Sequence, residues 1–140
     1  MIAGILFTHG DIGRELLRTA ETIIGSQEHV VALSNEGCSA TLMEDALTEV
    51  LSQEEFSGDV VIFVDLVRGS CWVAVERIRQ KYANVHLISG VNLSMLLLFF
   101  YKRQCLSLTD LLKSLCQGGI AGIQVRGEAA ARPEAGACPG

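Results

Sequence analysis

The amino-acid sequence predicts an α/β fold, a doubly wound and mainly parallel sheet with helices on both faces. Three observations lead there. Four short runs, residues 2–7, 29–33, 59–64 and 85–88, have strand length and are largely apolar throughout, as strands covered on both faces are. The stretches between them carry apolar residues at the helical period. Strand and helix alternate in order, and right-handed crossovers turn that alternation into parallel pairing.

Residues 2–7 lead into Thr8-His9-Gly10, after which Ile12, Leu16, Leu17, Ala20, Ile23 and Ile24 share one helical face as far as Gly25, a C-terminal stop. Residues 29–33 form the second strand. Leu42, Met43, Ala46, Leu47, Val50 and Leu51 mark the second helix, for which Thr41 and Glu44 offer a capping box. Residues 59–64 make a buried-type strand ending on Asp65, and Trp72, Val75, Ile78 and Tyr82 give a third helix beyond the loop 66–70. After the fourth strand, Gly90-Val91-Asn92 turns the chain into the apolar segment 93–101, with Asn92 as N-cap. A helix over 108–116 and a last strand over 122–126 complete the predicted elements. From Gly127 small residues without an apolar period read as a flexible tail, so residues 1–126 are taken as the domain and 127–140 as the tail.

A chain of 140 residues is long enough to enclose an apolar core without metal or disulfide staples. Its net charge of −5, with no basic stripe, argues against a nucleic-acid partner. The opening residues lack a basic region and are interrupted by His9, and segment 93–101 is too short for a bilayer, which takes about 20 residues. A soluble cytoplasmic protein is expected. Cys38, Cys71, Cys105, Cys116 and Cys138 are scattered with no Cys-x-x-Cys pair, which predicts free thiols, and His9, His29 and His86 show no metal-ligand spacing. No metal and no cofactor are expected. Cys71, at a helix start, is either a reactive low-pKa thiol or a small buried one.

Ligands of open α/β sheets bind beyond the carboxyl ends of the strands, where the winding switches direction. Those ends carry Thr8-His9-Gly10, Asp65 to Ser70, and Gly90-Val91-Asn92. With strand order 2-1-3-4, His9 and Asp65 face each other across the switch point. A carboxylate that holds one ring N–H leaves the other imidazole nitrogen's lone pair free, which makes His9 a candidate nucleophile. Gly10, Asp11 and Ile12 open a helix whose free N–H groups suit a phosphate. On the residues alone, a histidine capping a loop explains His9 equally well. His29 and His86 lie in or beside strands and are read as ordinary structural residues.

Three segments resemble the IIA domain of the mannose-class sugar phosphotransferase system. Gly4-Ile-Leu-Phe-Thr-His9-Gly10, Val61-Ile-Phe-Val-Asp65 ahead of Gly69-Ser70, and Ser89-Gly90-Val91-Asn92-Leu93-Ser94-Met95-Leu96 stand in the family's order and spacing. The resemblance implies a phosphocarrier that accepts phosphate from HPr on His9, with Asp65 as orienting partner, and passes it to a IIB domain. It also places Ser70 near the phosphoryl group, so that Gly10, Asp11, Gly69 and Ser70 are the expected phosphate contacts, and implies a homodimer that allows exchange of its C-terminal strand and contact with the membrane only through permease subunits. Arg68 replaces a family glycine, Cys71 a proline and Ser94 another proline. Arg68 reads either as a phosphate ligand or as a solvated side chain. The alternative function is a regulatory IIA-like domain whose phosphorylation state a partner senses. A response-regulator receiver would need an acidic pair where Thr8-His9 stands, and Gly10-Asp-Ile-Gly13 has neither dinucleotide-binding nor P-loop spacing.

Overall fold

A computed structural model describes residues 1–127. The elements are β1 (Ala3–Thr8), α1 (Ile12–Ile24), β2 (Val30–Ser34), α2 (Ala40–Leu51), a 3-10 turn (Glu54–Phe56), β3 (Val60–Phe63), α3 (Ser70–Arg79), β4 (Val85–Ile88), α4 (Leu93–Lys102) and α5 (Leu108–Ala121). The sheet is parallel throughout, in the order β2-β1-β3-β4. This is the doubly wound α/β fold read from the sequence.

Strand pleating divides the core in two. Ala3, Ile5, Phe7, Val60, Ile62 and Val64 join α2 and α3 on one face, where Leu47, Val75 and Ile78 are fully buried. Leu6, Val61 and Phe63 point the other way, toward α1, α4 and α5. There Phe99 meets Phe63 edge-on at 5.0 Å and lies over Gly4, where a Cβ would come within 2.9 Å of the ring. Truncating such a buried phenyl costs about 3–5 kcal/mol, so segment 93–101 serves the core.

Several boundaries move, each for a local reason. The cap of α2 is Ser39, whose hydroxyl accepts from the Leu42 N–H at 3.2 Å, so the predicted Thr41/Glu44 box falls inside the helix. The third helix spans Ser70–Arg79, leaving Tyr82 in the following turn, where it still packs on the core. α5 runs past Cys116 through Gly118 and Gly119, because those glycines lie against α4: a Cβ there would come within 2.5 Å of Leu98 and 2.7 Å of Met95. The last strand predicted over 122–126 is absent from the described residues, where that segment pairs with no strand. The predicted tail lies outside the described residues except for Gly127. Asn92 caps α4 as expected, accepting from Met95 N–H at 2.9 Å, and its amide also donates to Gly119 O at 3.2 Å.

Candidate functional site

β1 and β3 are neighbours, and their carboxyl ends bring His9 and Asp65 together. The His9 backbone N–H donates to Asp65 Oδ2 at 3.2 Å, and Nδ1 lies 3.1 Å from Oδ1 and 3.0 Å from Oδ2. A carboxylate can only accept, so Nδ1 carries the proton and Nε2 keeps its lone pair. The His9 side chain is 40% exposed against 16% for Asp65, which leaves the free nitrogen toward solvent and the anchor behind it. The turn below is fixed by Thr8, fully buried, whose Oγ1 accepts from Gly13 N–H at 2.7 Å. Gly13 is required there, since a Cβ would lie 2.9 Å from that oxygen.

The other wall is the start of α3. Ser70 Oγ lies 3.5 Å from His9 Nε2, at the edge of hydrogen-bond range. Gly69 is the N-cap and offers no side chain to the first-turn N–H groups, so the positive end of the helix dipole opens beside Nε2. A nucleophilic lone pair next to uncapped N–H groups and a hydroxyl is suited to a group carrying anionic oxygens.

The predicted residues take different places around this centre. Gly10 adopts φ +53, and its N–H, predicted to be free, donates to Asn35 Oδ1 at 3.3 Å. Asp11 is the exposed N-cap of α1 and pairs with Arg14 at 3.4 Å, while Ile12 N–H reaches His9 O at 3.5 Å. Gly69 N–H donates to Leu66 O at 3.3 Å, and a Cβ on Gly69 would lie 3.1 Å from His9 Cε1. Its contribution is clearance beneath the imidazole. Arg68 has φ +63 in the turn between Leu66 and Gly69; its side chain is exposed and pairs with no carboxylate among the described residues.

Two residues at the site were not singled out by sequence reasoning in this role. Asn35 follows β2 and bridges Gly10 to Ser70, its Nδ2 donating to Ser70 Oγ at 3.2 Å. The signal that could have found it is its place at a strand's carboxyl end. Cys71 lies beneath the pair, its donor atom within 4.8 Å of those of His9 and Asp65. Burial first and the Asp65 charge second push its thiol up to about 11, so it is the inert small thiol and not the reactive one. Metal ligation needs the thiolate, which this environment opposes. Cys38, Cys105 and Cys116 are free as well, and Cys138 lies outside the described residues.

The model of a protein family described as the PTS system fructose IIA component, EIIA-man, matches residues 4–116. The chain belongs to this mannose-class EIIA family. It is similar to the mannose-specific EIIAB components of the phosphotransferase system of Escherichia coli K12 and Shigella flexneri, each 32% identical over 96 residues, 68% of this chain. It spans 30% of the length of those relatives. Among solved structures, the phosphotransferase component EIIA of Streptococcus agalactiae superposes with a TM-score of 0.82 at 26% identity, covering 89% of this chain and 97% of that one. The mannose/sorbose specific IIA subunit of Enterococcus faecalis shares the fold, with a TM-score of 0.75 at 20% identity over 95% and 97% of the two chains. No helix among the described residues of this EIIA-family chain is long and apolar enough to cross a membrane.

Proposed function

We propose that this protein is a phosphocarrier of the phosphoenolpyruvate-dependent sugar phosphotransferase system, accepting a phosphoryl group from HPr on His9 Nε2 and passing it to a IIB domain. The observation that carries the reading is the clasp of Nδ1 between both oxygens of Asp65, which leaves Nε2 as the exposed lone pair. In the transfer, that lone pair bonds to phosphorus while the P–N bond to the donor imidazole breaks, and the donor ring takes back its electron pair. His9 keeps its Nδ1 proton, and the positive charge that develops on the ring is neutralised by Asp65. The phosphoryl oxygens rest against the first turn of α3 and Ser70, with Gly10 and Asp11 on the facing rim and the exposed Arg68 of the preceding loop as a further candidate contact. Phosphoryl transfer draws mainly on such positioning and charge stabilisation.

The same reading makes the protein a cytoplasmic homodimer that meets the membrane only through permease subunits. A cavity of about 280 Å³ bordered by Ile88, Met95, Gly119 and Ile123 supports a dimer, because Ile120 and Ile123 at its edge are exposed apolar side chains that a second copy can cover. Light scattering of the purified protein tests that part.

The central test is incubation with phosphoenolpyruvate, the first enzyme of the system and HPr. An acid-labile phosphate is expected on His9 and none on the His9→Ala variant; undiminished labelling of that variant overturns the assignment. Transfer between phosphohistidines needs no divalent ion on this protein, so a chelator added after HPr has been phosphorylated is expected to leave the rate unchanged.

A further inference from the structure

We propose that Asn35 is a positioning residue that fixes the Ser70 hydroxyl as a hydrogen-bond donor toward the phosphoryl group on His9. The inference rests on His9 being the acceptor, and it concerns a residue outside the His9–Asp65 pair.

The chain of bonds begins in the backbone. Asn35 stands one residue past β2, and its N–H donates to Thr8 O at 3.1 Å while its own carbonyl accepts from Cys38 N–H at 3.0 Å. Both of its neighbours in the fold are thereby held, and the side chain projects across the end of β1. A backbone N–H can only donate, so the amide atom facing Gly10 N–H at 3.3 Å must be the oxygen Oδ1. That choice leaves no freedom at the other end. The NH2 group faces Ser70 Oγ at 3.2 Å and donates into one of its lone pairs.

A hydroxyl has one hydrogen to give. With Asn35 supplying a donor on one side, the Ser70 hydrogen turns elsewhere, and His9 Nε2 stands 3.5 Å away on the open side. In the free protein that hydrogen rests toward the Nε2 lone pair. Once Nε2 carries phosphate the lone pair is consumed, and the same hydrogen meets a phosphoryl oxygen, a charge-assisted bond of the stronger kind. Asn35 acts through Ser70 and never touches the transferred group. Without it the Ser70 hydrogen can turn away and present a lone pair to the phosphoryl oxygens, which repels them.

A mutant cycle on the full chain tests this. The parent, Asn35→Ala, Asn35→Asp, Ser70→Ala and the Asn35→Ala/Ser70→Ala double variant are charged with phosphoenolpyruvate, the first enzyme and HPr. The lifetime of the isolated phosphoprotein and its equilibrium with HPr are then measured, with thermal unfolding recorded for each. Ser70→Ala and Asn35→Ala are each expected to shift the equilibrium toward phospho-HPr by about 10–100-fold, the range for one charge-assisted hydrogen bond, and the double variant is expected to match Ser70→Ala alone. Asn35→Asp keeps the bond from Gly10 N–H but turns the carboxylate's acceptor lone pairs on Ser70, capturing its hydrogen. Its loss is expected to equal or exceed that of Asn35→Ala, and, measured against the parent, it carries the test by itself if the alanine variant unfolds. Additive losses in the double variant, parent-like behaviour of Asn35→Asp, or an unaffected Ser70→Ala each overturn the proposal. Failure of the parent to take up phosphate on His9 overturns the phosphocarrier reading itself, so the two failures are told apart by the parent's labelling.

Discussion

Replacing Arg68 by glycine tests how this chain tolerates its departure from the family pattern. Arg68 sits third in the turn from Leu66 to Gly69, closed by the Gly69 N–H to Leu66 O bond, with φ +63. A positive φ at that position is the mark of a type II turn, which favours glycine. For a side chain with a Cβ this region costs about 1–2 kcal/mol through its approach to the following carbonyl. Glycine removes that cost but gives the unfolded chain more freedom, worth about 0.5–1 kcal/mol in the opposite sense. The guanidinium has no carboxylate partner among the described residues, so little else is lost. Arg68→Gly is therefore expected to stabilise the fold by about 0.5–1 kcal/mol, which for a domain of this size raises Tm by about 2–4 °C. Urea unfolding at fixed protein concentration measures it. A variant less stable than the parent refutes the strain argument. The same variant reports on phosphate: if the guanidinium contacts the phosphoryl oxygens, the phosphoprotein loses its group several-fold faster, and a parent-like lifetime confines Arg68 to its backbone effect.

Other changes test the rest of the site. Asp65→Asn is expected to slow transfer about 10–100-fold, the worth of about 1.5–3 kcal/mol for a hydrogen bond to a charged group, while HPr affinity by titration changes little. Equal transfer rates leave Asp65 with only a structural part. Gly69→Ala places a Cβ 3.1 Å from His9 Cε1 and 3.3 Å from Leu66 O, so transfer is expected to fall about tenfold from a displaced ring; a parent-like rate shows that the ring has room to give. Cys71, with its thiol raised from 9.0 to about 11, keeps its proton in the fold after the unfolded chain has lost it. Stability is thus present below about pH 9 and falls through the window up to about pH 11, by about 1.4 kcal/mol per pH unit at most. Cys71→Ala is expected to flatten that part of the pH–stability curve, and an unchanged slope counts against a buried thiol as its source.

The fold was legible because its strands are buried on both faces. Runs such as Val60-Val-Ile-Phe63 have few alternatives once they alternate with amphipathic helices, and that alternation leaves little freedom in pairing. What sequence periodicity missed depended on a neighbouring element. The helix read over 108–116 continues through Gly118 and Gly119, which α4 approaches closely, a fact no local pattern contains. Ser39 displaced Thr41 as a cap because both suit the role and only the entry angle of the chain decides between them. The segment after α5 alternates apolar and polar residues, Ile123-Gln-Val-Arg126, but has no partner strand among the described residues, and strand formation requires one.

The site divides along the same line. His9 and Asp65 could be paired from the sequence because the switch point of a doubly wound sheet names two strand ends, and each ended on a residue with chemistry. The phosphate cradle was sought at α1, the helix next in sequence to His9, and there Asn35 and His9 O take the N–H groups of Gly10 and Ile12, two of the three named from the sequence. The helix next to His9 in space is α3, whose cap is a glycine with nothing to offer its N–H groups. Phosphate is drawn to N–H groups that the protein leaves unpaired, and this favours α3 over the partly occupied start of α1. The edge strand β2 then gains a purpose beyond completing the sheet. The residue that follows it, Asn35, bonds to the end of β1 and to the His9 turn, and its side chain spans on to α3, so the third wall of the crevice holds the other two in register.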